Sequence, residues 1–450
     1  MSLFKKKQQK IIFWTVLAAI HLVFFLVFLS SGNIYMSDSK EYLTQAYNIK
    51  HHLTIYCADL TQKINPAFYN RRPPFYGAVI LILKSIYDSD YFVLAIQNIL
   101  SIINFFFLLR LLKDFDFASG AKRYVYALIL FFPSHYIYTN VIMTELLMQS
   151  LIFWAFYNLY LYLRNGKTGS IVLYNTFLSL AVLTKPVLVY FWIPNLIFVF
   201  YLFYKNKKTG VLFSGFLMPA VIFALTLYNY SNNGCFQYSS NKQVSYLDYS
   251  ATFLLIKTEG QEAGWNKWHE VHSYVDTISD YSRLTEESER IATEIIMKYK
   301  YEFMKYHLTG MVNYFMDPGR YDINYFLNIK ETNHTGLLYT FAKSGYKGVF
   351  EFMMDKPPYI LIYLFVMLII NFFMLVSLIL FAFSKRIKPE LKFFILFISF
   401  YMSFVSGILG TMRYKIHIYP LILFTIPFTI EYIIRKRSER KIKVITGGQS

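Results

Sequence analysis

The sequence predicts an all-α polytopic membrane protein of about ten transmembrane helices, with exterior juxtamembrane helices and one large exterior loop. Three observations predict it. Hydrophobic residues make up 56% of the 450 positions and charged ones 16%, too much apolar surface for a soluble fold. Apolar runs recur at about 20 residues, the length a helix needs to cross a bilayer. The Lys and Arg residues that give a net charge of +18 lie in short blocks between those runs. That pattern reports topology, and it leaves nucleic acid little weight as a partner.

The spans follow in order. The run at 11–29 comes after "MSLFKKKQQK"; it is longer than a signal-peptide core and has no clear small-x-small cleavage site, so it is taken as a retained first span. Residues 75–87 are apolar for only 13 positions, about 20 Å of helix against a hydrocarbon core of about 30 Å, which makes this an interfacial or re-entrant helix. The exterior segment then covers 32–90, with "DSKEYLTQAYNIKHHL" as a polar-faced helix and "RRPP" opening a second. Further spans are expected at 91–112, 122–140, 142–163, 170–184, 187–204, 210–230, 358–383, 391–410 and 417–434. This count places all six basic blocks, at the start and near 110–123, 164, 205, 385 and 435, on the cytoplasmic side with both termini. The chain divides into residues 1–230, a transmembrane module with the 32–90 segment, residues 231–355, an exterior loop or small helical domain, and residues 356–450, the last spans and a basic tail.

This topology gathers polar residues on the exterior side: Asp38 after the first span, Arg71 and Arg72, Glu145 in "TELLM", Lys185 in "LTKP", and Arg413, Lys415 and His417 in "RYKIHIYP". Asp38 has two readings. In "DSKE" it caps a helix while Glu41 reaches back, or it is catalytic. Glu145 lies within an otherwise apolar stretch, where an unheld carboxylate costs up to about 3 kcal/mol. The only cysteines, Cys57 and Cys235, fall outside the membrane in this topology and leave one disulfide open. They exclude a disulfide-rich scaffold and a Cys-based zinc site.

"SDSKEY", "RRPPFYGAV", "TELLM", "LTKP" and "RYKIHIYP", in this order and on one side, resemble the pattern of GT-C glycosyltransferases. The similar branch is that of the dolichyl-phosphate-mannose protein mannosyltransferases and the bacterial lipid A aminoarabinose transferases. Gly77 stands where Pro often follows the Tyr, and Lys185 where Arg is frequent. The resemblance implies a GT-C fold for the transmembrane module, a polyprenyl-phosphate sugar donor, Asp38 as catalytic base and Glu145 as an assisting acid.

The chemistry suits these residues in its own right. A sugar on a lipid phosphate already has a good leaving group, so the enzyme needs one base for the acceptor proton and cations for the developing phosphate charge. Arg71, Arg72, Lys185, Arg413 and Lys415 are the donor-phosphate candidates, with Tyr42, Tyr76 and His417 as further site candidates. A divalent ion held by the two carboxylates with His51, His52 or His417 stays open, with no metal-binding spacing to support it. The partners expected are an undecaprenyl-phosphate-type donor, a glycan, lipid or protein acceptor, and membrane lipid. Lys-, Ile-, Asn-, Phe- and Tyr-rich usage suggests an AT-rich bacterial genome, hence an inner membrane with the site facing the periplasm. The alternatives are an O-antigen-type polymerase or ligase, and a lipid-linked sugar flippase. Within 231–355, "TEESERIATEIIMKYKYEFMKYHLTGMVNYFMDPG" predicts helix ending at "DPG". Its aromatic and Lys content favours a surface helix over a small soluble core, and Trp265 and Trp268 are either sugar-stacking or anchoring. The sequons at Asn229 and Asn333 carry little weight.

Overall fold

The computed structural model describes residues 2–117, 120–329, 347–348, 350–351 and 357–447, with side chains described between residues 8 and 436; the sequon at Asn333 lies outside the described residues. The described residues form helices and no strands. In chain order these are α1 (Ser2–Ser31), α2 (Ser39–His52), α3 (Phe75–Ile86), α4 (Asp90–Leu111), α5 (Ala121–Leu130), α6 (Pro133–Thr139), α7 (Glu145–Asn165) and α8 (Thr168–Thr184). A 3-10 turn, Pro186–Phe191, leads into α9 (Trp192–Asn206), followed by α10 (Thr209–Gly215) and α11 (Leu217–Asn233). The long middle segment holds α12 (Asn241–Gln243), α13 (Thr252–Glu259), α14 (Gln261–Val275), α15 (Tyr281–Lys298), α16 (Lys300–Met316) and α17 (Arg320–Phe326). Last come α18 (Pro358–Phe381), α19 (Pro389–Ser406), α20 (Met412–Lys415) and α21 (Tyr419–Gly447).

Among the described residues, eight helical stretches are long and apolar enough to cross a membrane: Gln8–Ser31, Asp90–Leu111, Glu145–Asn165, Pro186–Asn206, Thr209–Asn233, Pro358–Phe381, Pro389–Leu409 and Met412–Lys436. The protein is therefore a polytopic, all-helical membrane protein. Two of the ten expected spans differ. Residues 122–140 are broken between α5 and α6, because Pro133 opens α6 without a donor N–H and Phe131 and Phe132 leave the helix. The 170–184 run forms α8, whose 17 residues reach about 26 Å. The short run at 75–87 forms only the 12-residue α3, in keeping with its apolar length.

The basic blocks near 110–123, 164, 205 and 385 converge at one end of the bundle. Arg164 pairs with Asp114, Lys208 donates to the Gly166 carbonyl, and Lys388 donates to the Leu163 carbonyl. Lys205 pairs with Glu390, and Arg386 reaches both Glu431 and the Asp116 carbonyl. Helix α7 and the stretch Met412–Lys436, which includes the start of α21, form the mostly buried centre, and α1 lies at the more exposed periphery. Glu145 at the start of α7 and Arg413 shortly before α21 are thus held by well-packed helices. The segment after α11 begins a second, smaller apolar cluster of Leu247, Ala251, Leu255, Ala292 and Ile295.

A candidate acid–cation site at the far end of the bundle

Opposite the basic end, segments more than 370 residues apart in sequence bring their charges together. Asp38 accepts from Arg72 at 2.9 Å and from Arg413 at 2.7 Å. Arg413 also donates through Nε to Glu145 Oε1, which accepts Lys185 Nζ at 3.0 Å as well. Arg72 Nε pairs with Glu41, and Arg71 lies 3.3 Å from the other Glu41 oxygen. Three carboxylates thus alternate with four cations, leaving one positive charge in excess. Glu145 is fully buried, while Asp38 (19%), Arg413 (23%) and Arg71 (32%) keep an open edge.

Local structure fixes each member. Asp38 precedes α2 but makes no capping bond, and Glu41 does not reach back, so the capping reading is set aside. The turn is held by Ser39 instead: its Oγ accepts the Met36 N–H at 2.8 Å and donates to the Ile142 carbonyl at 2.8 Å. Because Ile142 N–H also bonds the Ile34 carbonyl, the Asp38 turn is tied to the approach of α7. Gln45 donates to the Arg72 carbonyl at 2.8 Å and to the Ile55 carbonyl at 2.9 Å, which holds the arginine backbone. Gly77 makes room for this contact, since a Cβ there would stand 2.6 Å from Gln45 Oε1. Glu145 is the first residue of α7, where the helix N-terminus favours a negative charge. Lys185 follows α8 in extended backbone before Pro186. Tyr42 lies under the Arg72 guanidinium at 5.2 Å and meets Tyr76 edge-on at 5.1 Å, while Tyr76 OH donates to Gln97. These two tyrosines form the floor of the site.

The ion pairs set the electrostatics. Burial pushes the Asp38 carboxyl up, but the charges of Arg72 and Arg413 more than offset it and hold the group below its ordinary value. For Arg72, burial opposes the charge, and the neighbouring Tyr42, Asp38 and Glu41 raise it overall. Asp38 is thus ionised at neutral pH.

Among the sequence candidates, Asp38, Glu145, Arg71, Arg72, Lys185 and Arg413 assemble, and Lys415 does not. Its Nζ donates to the Phe315 carbonyl at 2.9 Å and to Asn371 Oδ1 at 2.7 Å. Residues two apart on a helical turn point to different sides, so Lys415 leaves the face that Arg413 occupies. His417, four positions after Arg413, lies fully buried near Glu145 and Lys185. His51 and His52 end α2 at its exposed tip, and no group of three or more His, Cys, Asp or Glu converges among the described residues. Trp268 stacks on His272 within α14, and Trp265 is half-exposed on the same helix. Cys57 and Cys235 are both free and buried, and burial pushes the Cys57 thiol up to about 12. The sequence reading missed Glu41 as a site member; its place three residues after Asp38 on one helical face was the available signal. No known family model matches the chain, and no curated protein is detectably similar to it.

Proposed function

We propose that the protein is an integral membrane glycosyltransferase of the GT-C type, transferring a sugar from a polyprenyl-phosphate carrier to an acceptor at the outer face of a bacterial inner membrane. Asp38 is the general base. The observation that supports this best is the use made of Asp38: it caps nothing, stands at the open edge of the cluster, and is held by arginines from two distant segments.

In this reading the acceptor O–H or N–H gives its proton to the Asp38 carboxylate as the acceptor atom bonds the anomeric carbon. The carbon–oxygen bond to phosphate breaks, and its electron pair leaves with the carrier phosphate. One displacement inverts the anomeric centre. Arg413 and Arg71, the most exposed cations of the cluster, receive the phosphate charge, a role in which contacts that strengthen at bond breaking raise turnover. Arg413 engages Asp38 through one terminal nitrogen and Glu145 through Nε. A phosphate drawing Arg413 away from Asp38 therefore strengthens the base at the moment it is needed. Glu145 keeps Arg413 and Lys185 in place throughout. Asp38→Asn tests the assignment: folding and donor binding are retained while turnover falls by about 100-fold or more. Near-normal turnover of this variant removes Asp38 from the chemistry.

One observation favours a transporter as the second reading. A buried chain of hydrogen bonds runs between helices, from His21 through Ser101 to His135 (3.3 and 2.6 Å) and on to Gln149 (3.3 Å). Ionisable residues at such depth are a frequent mark of transport pathways, although the same contacts serve to join helices. Release of free carrier phosphate from a sugar-linked donor separates the two readings, because a flippase breaks no bond.

A further inference from the structure

The end of the long middle segment behaves differently from the rest of it. The Met316 and Asp317 carbonyls lie 3.5 and 2.6 Å from Asn371 Nδ2. Asn371 is fully buried at the fourteenth position of α18, which is about 20 Å along a spanning helix whose hydrocarbon surroundings are about 30 Å thick. The turn after α16 therefore lies near mid-bilayer depth. Irregular backbone at that depth is tolerated only where its polar groups are satisfied inside protein. They are satisfied here. Lys415 donates to the Phe315 carbonyl, Asp317 Oδ1 accepts the Gly319 N–H at 3.0 Å, and Asp317 Oδ2 accepts the Met412 N–H at 2.7 Å. Gly319 turns the chain at φ 75°, where an L side chain is strained and a Cβ would meet Ser134 Oγ at 2.7 Å. Helix α17 then returns toward the outer end of α1, where Tyr325 Oη lies 2.9 and 2.8 Å from the Asn33 and Tyr35 carbonyls.

Helix α16 has two distinct faces. Gly310 packs on Gly407 and Gly410 so closely that a Cβ on Gly310 or Gly410 would collide with backbone, the kind of approach that joins helices in membranes. Its other face exposes Tyr301, Met304, Leu308 and Val312 in one stripe, each more than half exposed. Lys298 and Lys300 flank its upper end, where long cationic side chains reach an interface.

We propose that residues 300–327 form a re-entrant hairpin that enters the outer leaflet, with the stripe Tyr301, Met304, Leu308 and Val312 in contact with bilayer hydrocarbon. The buried Lys415 then serves the hairpin turn rather than a donor phosphate. The long middle segment then packs within the membrane against α20, the helix that carries Arg413.

The test needs no substrate. Single cysteines at Met304, Leu308 and Val312 are spin-labelled in protein reconstituted into phosphatidylcholine–phosphatidylglycerol vesicles, the buried native cysteines being left in place. Collision rates with oxygen and with a water-soluble nickel chelate are compared with those at Val366 on α18 and Trp265 on α14, both partly exposed. The expected oxygen-to-nickel ratio rises from 304 to 312, comes within about twofold of that at 366, and exceeds that at 265 by about fivefold or more. Ratios at 308 and 312 equal to that at 265 overturn the proposal. If labelled protein fails to reconstitute, Leu308→Trp and Val312→Trp give the same decision. Added emission quenched by brominated lipid and not by iodide supports the hairpin, and the reverse refutes it.

Discussion

Glu145 and Lys185 offer a quantitative test of whether the cluster is an electrostatic unit or a set of independent contacts. Replacing Glu145 by Gln keeps an acceptor oxygen of nearly the same shape and removes one charge, so four cations then face two carboxylates. Glu145 is fully buried and Lys185 only 12% exposed, and removing one member of a buried pair costs about 3–5 kcal/mol because the partner is left uncompensated. Asp38 still holds Arg413 in the variant, which puts the expected loss at the low end, about 3 kcal/mol. Lys185→Met keeps the aliphatic stem and removes the other charge. The double variant has neither uncompensated group, so its loss falls short of the summed single losses by about 1–3 kcal/mol. Equilibrium unfolding in mixed micelles with increasing dodecyl sulfate, followed by tryptophan emission, measures all four proteins. If the two single losses simply add, within about 0.5 kcal/mol, Glu145 and Lys185 are uncoupled and the picture of an alternating charge chain is wrong.

Arg413→Lys keeps the charge but cannot span Asp38 and Glu145 as Nε and a terminal nitrogen do; turnover is expected to fall about tenfold or more, with donor affinity changing less, and equal loss in both parameters counts against a transition-state role. For pH, the depressed Asp38 carboxyl contributes stability that is complete above the unfolded carboxylate value of about 4 and is lost as pH falls through its lower folded value. The unfolding midpoint of wild type should therefore be flat from pH 8 to about 5 and drop below about pH 4. Asp38→Asn should reduce that acid drop, and an unchanged drop would remove Asp38 as its source. Cys57 and Cys235, both buried, should resist a membrane-impermeant thiol reagent in the folded protein and react once it is unfolded, so fast native labelling would contradict their packing.

How far the sequence reached can be judged residue by residue. The long spans were legible because about 20 uninterrupted apolar residues have little alternative to a membrane helix. The break at Pro133 was legible in principle, yet the apolar count across 122–140 outweighed a single proline. Asp38, Arg72, Glu145, Lys185 and Arg413 were found because a charge beside an apolar run needs a reason, and a shared side supplied one. Which charges then touch was not legible: Arg413 and Lys415 are two positions apart and look equivalent in sequence, and only the helical turn of α20 sends them to different partners. Glu41 was hidden by a second, equally good explanation, the capping box. Asp317, Asn371 and the hairpin turn have no local signature at all, since their meaning depends on contacts made across the bundle.

The central claim is that this cluster breaks a sugar–phosphate bond. Purified protein in detergent is incubated with a panel of undecaprenyl-phosphate-linked sugars, with and without glycan, lipid and peptide acceptors, and free undecaprenyl phosphate is measured by mass spectrometry. Wild type is expected to release it in an acceptor-dependent manner, and Asp38→Asn to release about 100-fold less or lower still while binding the same donor. Absence of release by folded wild type across the whole panel contradicts the glycosyltransferase account and leaves the buried His21–Ser101–His135 chain, and transport, as the better guide to what the protein does.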